Sequence, residues 1–179
     1  DSARDHGVPQ GGSGMAIRLF VTGGTFDKEY DELGGALVFQ DTHVKEMLKL
    51  GRCRVPVNVR TLMMVDSLEM TQEDRDVILR NCRDCAEERI VITHGTDTME
   101  HTARHLGPEI RGKTVVLVGA MVPYTFGSSD GLFNLGAAVA FAQTLPHGVY
   151  VAMNGRIFDY DKVRKNRRIG EFEEIDPTD

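Results

Sequence analysis

The stretch Ile17-Arg18-Leu19-Phe20-Val21-Thr22-Gly23-Gly24-Thr25 sets the reading of everything after it. A short apolar run that stops at glycines predicts a strand buried between two layers. The same pattern returns three times. Residues 89–93 run into His94-Gly95-Thr96-Asp97, residues 113–118 into Gly119-Ala120-Met121, and residues 148–153 into Asn154-Gly155. Helical periodicity fills the gaps, with helices predicted over 41–50, 71–85, 99–106 and from Ser129 or Asp130 through 143. Thr71 with Asp74 three residues on has the form of a helix start. Residues 54–59 have strand character, and Pro56 assigns them to an edge. Strand and helix therefore alternate, which predicts an α/β fold: an open, mostly parallel sheet with flanking helices. In such sheets ligands bind beyond the C-terminal ends of the strands, so TGGT, HGTD, GAM and the segment after MNG are expected at one rim.

Composition narrows the function. The chain has 179 residues, 41% of them hydrophobic and 27% charged, as expected of one globular domain and unlike a disordered segment. Its formal net charge is −6, which disfavours binding a nucleic-acid backbone through overall charge. The longest apolar runs, such as Val115-Val116-Leu117-Val118, fall far short of the ~20 residues of a membrane span. Three cysteines, Cys53, Cys82 and Cys85, and no secretory pattern before Met15 fit a reducing cytoplasm. Residues 1–14 are polar and glycine-rich and read as a flexible leader or a cloning remnant, with the domain occupying 15–179.

The rim residues carry the candidate chemistry. In Thr22-Gly23-Gly24-Thr25 the glycines let backbone approach a ligand, and a hydroxyl there can serve as nucleophile or phosphate ligand. Neither the dinucleotide nor the Walker spacing is present. Residues 26–38 are polar, contain Gly34-Gly35 and are expected to form a mobile lid bearing Tyr30. In His94-Gly95-Thr96-Asp97-Thr98 a hydroxyl beside a carboxylate can contact an amide and an ammonium, while Thr96 or Asp97 can equally cap the next helix.

TGGTF, HGTDTMEHTA, VVLVGAMVP and DGLFNLGAAV, in this order and spacing, resemble the bacterial-type L-asparaginase/glutaminase family over residues 17–165. The resemblance implies a fold like the N-terminal domain of two-domain asparaginases. It implies hydrolysis of the side-chain amide of L-asparagine to L-aspartate and ammonia, with glutamine a lesser substrate. Thr25 matches the family's nucleophile, Tyr30 the lid tyrosine that polarises it, and Ser67 the serine that helps hold the substrate α-carboxylate. Thr96 and Asp97 match the second threonine and its acid, Asp97 also binding the α-amino group. Lys165 matches the lysine that pairs with them, with Lys162 as the alternative should the register slip. Gly24, Gly95 and Ala120 are the further substrate-binding positions.

An amide is a poor electrophile, so the reaction needs an activated nucleophile and an oxyanion site, and a Thr–Lys–Asp relay meets the first need. The expected course is an acyl-enzyme on Thr25 resolved by water; sequence leaves open whether Thr25 or a Thr96-activated water attacks first. No cofactor and no metal are implied. Members of the family usually add a second, smaller domain whose acidic residue helps hold the α-amino group. A short single-domain member is expected, with truncation of a longer protein as the competing explanation. Weaker substrate binding, with a raised KM, follows, offset by a group from another protomer or from the lid. Self-association, first as a homodimer, is expected.

Other features point away from chemistry. Cys82 and Cys85 form one CxxC on a predicted helix, too few ligands for a tetrahedral zinc site. His101 and His105 share a helix face but lack the HExxH order. Residues 164–168 form a short basic run without interleaved aromatics, expected to be solvated or at an interface. Met63 and Met64 are expected in the core or a subunit contact, and the acidic residues 171–179 are expected to fray. The rival readings are a catalytically silent amino-acid-binding module and the amidase subunit of a tRNA-dependent amidotransferase.

Overall fold

The computed structural model describes residues 16–176 and Thr178; the predicted leader and the start at Met15 lie outside these. In chain order the elements are β1 (Ile17–Gly23), β2 (Lys28–Asp31), β3 (Ala36–Phe39), α1 (Val44–Leu50) and β4 (Val57–Val65). Then follow α2 (Gln72–Asp84), β5 (Arg89–Thr93), α3 (Met99–Leu106), β6 (Thr114–Val118), α4 (Gly131–Thr144), β7 (Gly148–Met153), β8 (Arg156–Asp159), β9 (Val163–Asn166) and β10 (Glu171–Glu174).

Six strands form one sheet in the order β4-β1-β5-β6-β7-β8. Every neighbouring pair is parallel except β7 and β8, which run antiparallel. The fold is therefore the mostly parallel α/β sheet that the alternating pattern predicts. Successive strand residues feed opposite faces. Phe20, Ile90, Ile92, Leu117 and Val151 pack with Ile78 and Cys82 of α2 and with Met99 and Leu106 of α3. Leu19, Val21, Val91, Val116 and Val118 pack with Met47 of α1 and with Leu135 and Ala138 of α4. Burial on both faces explains the unbroken apolar runs.

After β1 the chain builds β4 on one side of it, then returns past it to build β5 on the other. The loops after β1 and β5 thus leave the sheet where its winding reverses, and a crevice opens at the C-terminal strand ends.

Four expectations are corrected. The first helix starts at Val44 rather than 41, because the buried Asp27 carboxylate accepts the Thr42 hydroxyl at 2.9 Å and the His43 N–H at 2.8 Å. The edge strand runs to Val65, beyond 59, and carries Met63 and Met64 into opposite cores. The polar segment expected to be a mobile lid is an ordered antiparallel pair, β2 with β3, that places Tyr30 opposite Leu37. The acidic end does not fray over 171–174: β10 pairs with β9, Phe172 is buried, and Arg164 Nε donates to Glu173 at 2.7 Å. β7 and β8 are joined through Asn154 and Gly155, whose φ values of 52° and 84° make the tight turn that right-twisted antiparallel strands favour.

Candidate active site

Glycines bring the strand-end loops into contact. Gly24 has φ 87°, and a Cβ there would lie 2.4 Å from the Gly95 nitrogen and 2.6 Å from its Cα. A Cβ on Gly95 would meet the Ser67 Cβ and Oγ, each at 2.6 Å. One on Gly119 would fall 2.6 Å from the His94 carbonyl oxygen and 3.0 Å from Thr96 Cγ2. Four segments remote in sequence therefore touch because three of their residues lack side chains. Thr22 adds a tie, its hydroxyl donating to the Thr93 carbonyl at 2.7 Å. Ala120, immediately after Gly119, is buried beside them.

Over this seam stands Lys165. Its Nζ donates to Thr96 Oγ1 and to Asp97 Oδ1, both at 2.8 Å, and its side chain is only 10% exposed. Strand β9 brings it there, anchored where the Lys165 N–H donates to Glu100 Oε2 at 2.9 Å and Arg104 reaches the Val163 carbonyl at 2.9 Å. Arg167, from the basic run, donates to the Asp97 carbonyl at 3.1 Å. Lys162 instead lies 3.9 Å from Asp159, away from Thr96 and Asp97.

Ser67 opens a short 3-10 turn, Ser67–Glu69, whose cap Asp66 accepts the Leu68 N–H at 3.0 Å. Lys28 of β2 donates to the other Asp66 oxygen at 2.5 Å, and this contact, ahead of partial burial that opposes it, holds the Asp66 carboxyl below its ordinary pKa. The β2–β3 hairpin is thereby tied to the turn that carries Ser67. Thr25 begins another 3-10 turn, Thr25–Asp27, and is half-buried next to buried Gly24. Tyr30 is not brought to it: the phenol is 57% exposed and its hydroxyl lies over Gly35 within the hairpin. On the far side of the hairpin, Glu29 Oε1 lies 2.7 Å from His43 Nε2 without the alignment of a hydrogen bond.

Motif residues to which the sequence assigns no catalytic or binding role hold the site in shape. The Asp130 carboxylate accepts the N–H groups of Met121 and Val122 at 3.0 and 3.1 Å, and the side-chain amides of Asn134 and Asn154 at 2.9 and 3.0 Å. Burial works against its charge, but these donors outweigh it and hold the carboxyl below the ordinary carboxylate range. The sequence pattern offers Ser129 or Asp130 as a helix cap; Asp130 stands at the N-cap position without capping through its side chain, and Ser129 Oγ accepts the Gly131 N–H at 2.9 Å. Below Ser67 and Gly95 lies a fully buried imidazole, His94, whose burial pushes its pKa down to about 4 against the opposing Gly95 hydrogen bond. The sequence signal for these groups is a polar residue on an apolar element, which carries no partner's name.

The side features stay apart from this cluster. Cys82 is buried in α2 and desolvation pushes its thiol pKa up; Cys53, Cys82 and Cys85 are all free. His105 bridges Asp76 and Gln72, each at 2.9 Å. Among the described residues no group of three or more His, Cys, Asp or Glu side chains is placed to hold a metal ion, and no helix is long and apolar enough to cross a membrane.

Residues 16–173 match the family model described as Asparaginase, N-terminal. The L-asparaginase of Thermococcus kodakarensis is 32% identical over 161 residues, 87% of this chain and 49% of that protein. The thermostable L-asparaginase structure from the same organism superimposes with a TM-score of 0.77 at 31% identity, over 90% of this chain and 51% of that one. L-asparaginase I of Vibrio cholerae superimposes with a TM-score of 0.79 at 26% identity, over the same shares. A subunit of the glutamyl-tRNA(Gln) amidotransferase of Methanococcus vannielii is 45% identical over 73 residues, 40% of this chain and 17% of that one. The chain thus spans about half the length of these asparaginases.

Proposed function

The chain belongs to the asparaginase family, and from that premise we propose that it hydrolyses the side-chain amide of L-asparagine to L-aspartate and ammonia, with glutamine a lesser substrate. The observation that carries the reading is Lys165 Nζ, held at 2.8 Å from both Thr96 Oγ1 and Asp97 Oδ1 above the reversal point of the sheet. A binding pocket for an amino acid has no need of a lysine hydrogen-bonded to a threonine hydroxyl. A proton relay does.

In the proposed course Thr25 is the nucleophile. Its Oγ attacks the amide carbon, and its proton passes to Lys165 Nζ, directly or through the Thr96 hydroxyl. Asp97 holds the ammonium that forms, as the acid of a triad holds its base. Backbone N–H groups beside Gly24 and Gly95 face the oxyanion. The C–N bond breaks as the relay returns the proton to the leaving nitrogen, so ammonia departs and an acyl ester remains on Thr25. Water, deprotonated by the same relay, cleaves the ester and releases L-aspartate. Ser67 with Gly95 takes the substrate α-carboxylate and Asp97 the α-amino group, with Gly24 and Ala120 lining the remainder. Tyr30 acts only if the hairpin carrying it moves toward Thr25, a closure of the kind loops make over substrate. A homodimer in a reducing cytoplasm is part of the proposal; the three free thiols support the compartment.

The test is ammonia release from L-asparagine and L-glutamine by the parent chain and by Thr25→Ala. Release by the parent and none by the variant is the expected result. Equal release by both would remove Thr25 from the mechanism. No release by the parent, even at tens of millimolar substrate, would leave an amino-acid-binding module or a portion of a larger enzyme.

A further inference from the structure

Arg75, on α2, is a buried cation whose hydrogen-bond partners are all neutral. Its Nε donates to Thr102 Oγ1 at 3.0 Å, its Nη2 to Thr98 Oγ1 at 3.0 Å, and its Nη1 to the Met70 carbonyl at 3.3 Å. The carboxylate of its neighbour Asp74 is engaged elsewhere, accepting the Thr71 N–H at 2.9 Å. A buried charge without a directly bonded counter-ion is expensive to maintain, and Asp74 offsets that cost only through space.

Both arms of the guanidinium end on the candidate site. Along the first, the Thr98 hydroxyl that accepts from Arg75 donates to the Ser67 carbonyl at 2.7 Å. Along the second, His94 is 2.7 Å from Thr102 Oγ1 through Nε2 and 2.7 Å from the Gly95 carbonyl through Nδ1. A carbonyl only accepts, so Nδ1 carries the proton. The imidazole is neutral, so its Nε2 accepts from the Thr102 hydroxyl. Every donor in this chain points the same way, from the guanidinium to Gly95, an alignment in which each bond polarises the next. The two arms finish on Ser67 and Gly95, which pack against each other.

We infer that Arg75 is a positioning and specificity-determining residue that supplies, through Thr98 and through Thr102 and His94, the positive field at the Ser67–Gly95 seam that selects substrates bearing a free α-carboxylate. This rests on the assignment of Ser67 to that carboxylate in the proposed function. Arg75 touches neither the substrate nor the reacting atoms; it acts through the groups it orients and through its charge in a poorly screened interior.

The experiment compares ligands that differ only in the carboxylate. Calorimetric dissociation constants are measured for L-aspartate and for its α-amide, with the parent, Arg75→Met, Arg75→Gln and Arg75→Lys, after thermal melts establish that each variant is folded. Loss of the charge is expected to weaken L-aspartate about tenfold and the α-amide less than twofold, while Arg75→Lys keeps most of the preference. Arg75→Gln retains a donor for Thr98 and serves if Arg75→Met does not fold. With L-asparagine and its α-amide as substrates the same split is expected in KM at nearly constant kcat. Equal weakening of both ligands would reduce Arg75 to a packing residue and overturn the inference. So would a parent that binds L-aspartate no better than the α-amide. A parent that binds L-aspartate with this preference but releases no ammonia would end the proposed reaction and leave the inference standing.

Discussion

Single residues set the limits of this site. Lys165→Met removes the shared donor of Thr96 and Asp97 while keeping the stem's apolar contacts; kcat for ammonia release is expected to fall by about 10² to 10⁴, with little change in melting temperature. Gly24→Ala tests the seam itself. Its Cβ would sit 2.4 Å from the Gly95 nitrogen at a φ of 87°, so a loss of about 2 kcal/mol or more in urea unfolding is expected together with loss of turnover. Gly112→Ala is the control: its φ is 69° but nothing lies within 4 Å, so only the smaller backbone penalty applies. The motif residues were legible because their chemistry is local: a glycine or a hydroxyl at a strand end announces itself. The roles of Arg75, and of Asp130 and Glu100 within the motifs, were not, since each is set by partners on other segments, the Lys165 N–H for Glu100 being one case. Arg75 in particular reads as one more polar residue after a helix start, and only the packing of α2 on α3 shows its partners to be neutral.

At the level of elements, the helix over Gln72–Asp84 and the strands over Arg89–Thr93 and Gly148–Met153 were readable, because a capping box and unbroken apolar runs bounded by glycines are written in neighbouring residues. Thr71→Ala should cost about 1 kcal/mol, read as a shift of the urea midpoint at constant slope, because Thr71 Oγ1 accepts the Asp74 N–H and Asp74 answers at the Thr71 N–H. The β2–β3 and β9–β10 pairs were not readable: each strand has only four residues, few of them are buried, and their order comes from remote anchors. Lys28 on Asp66 is such an anchor. Lys28→Met is therefore expected to raise amide hydrogen exchange across 28–39 while leaving exchange in β5 and β6 unchanged. The Asn154–Gly155 turn is legible in its dipeptide, but a glycine after a buried strand has the same form as a ligand-binding strand end.

At the scale of the whole molecule, two of the groups that tie stability to pH are the buried His94 and the half-buried Asp130. His94 has a folded pKa near 4 against an ordinary value of 6.5, so the unfolded chain binds the proton first. Its contribution is complete above pH 6.5, declines as pH falls, and is lost by about pH 4. Asp130, with its pKa lowered, contributes above its ordinary value of 3.8 and loses that contribution only in stronger acid. Urea unfolding of the parent should therefore weaken between pH 7 and 4, and His94→Gln should flatten that slope; an unchanged slope would place the dependence elsewhere. The two borders of the sheet differ as sharply as its two faces agree. At one, β8 turns back on β7; at the other, β4 presents its free side beyond β1 along Val57–Val65, with exposed Arg60 at its middle. A long unpaired border recruits strands from other molecules unless a charge interrupts it. Arg60 is placed to act as a gatekeeper there, and Arg60→Val is expected to shorten the time for which a concentrated solution of this protein stays clear on storage.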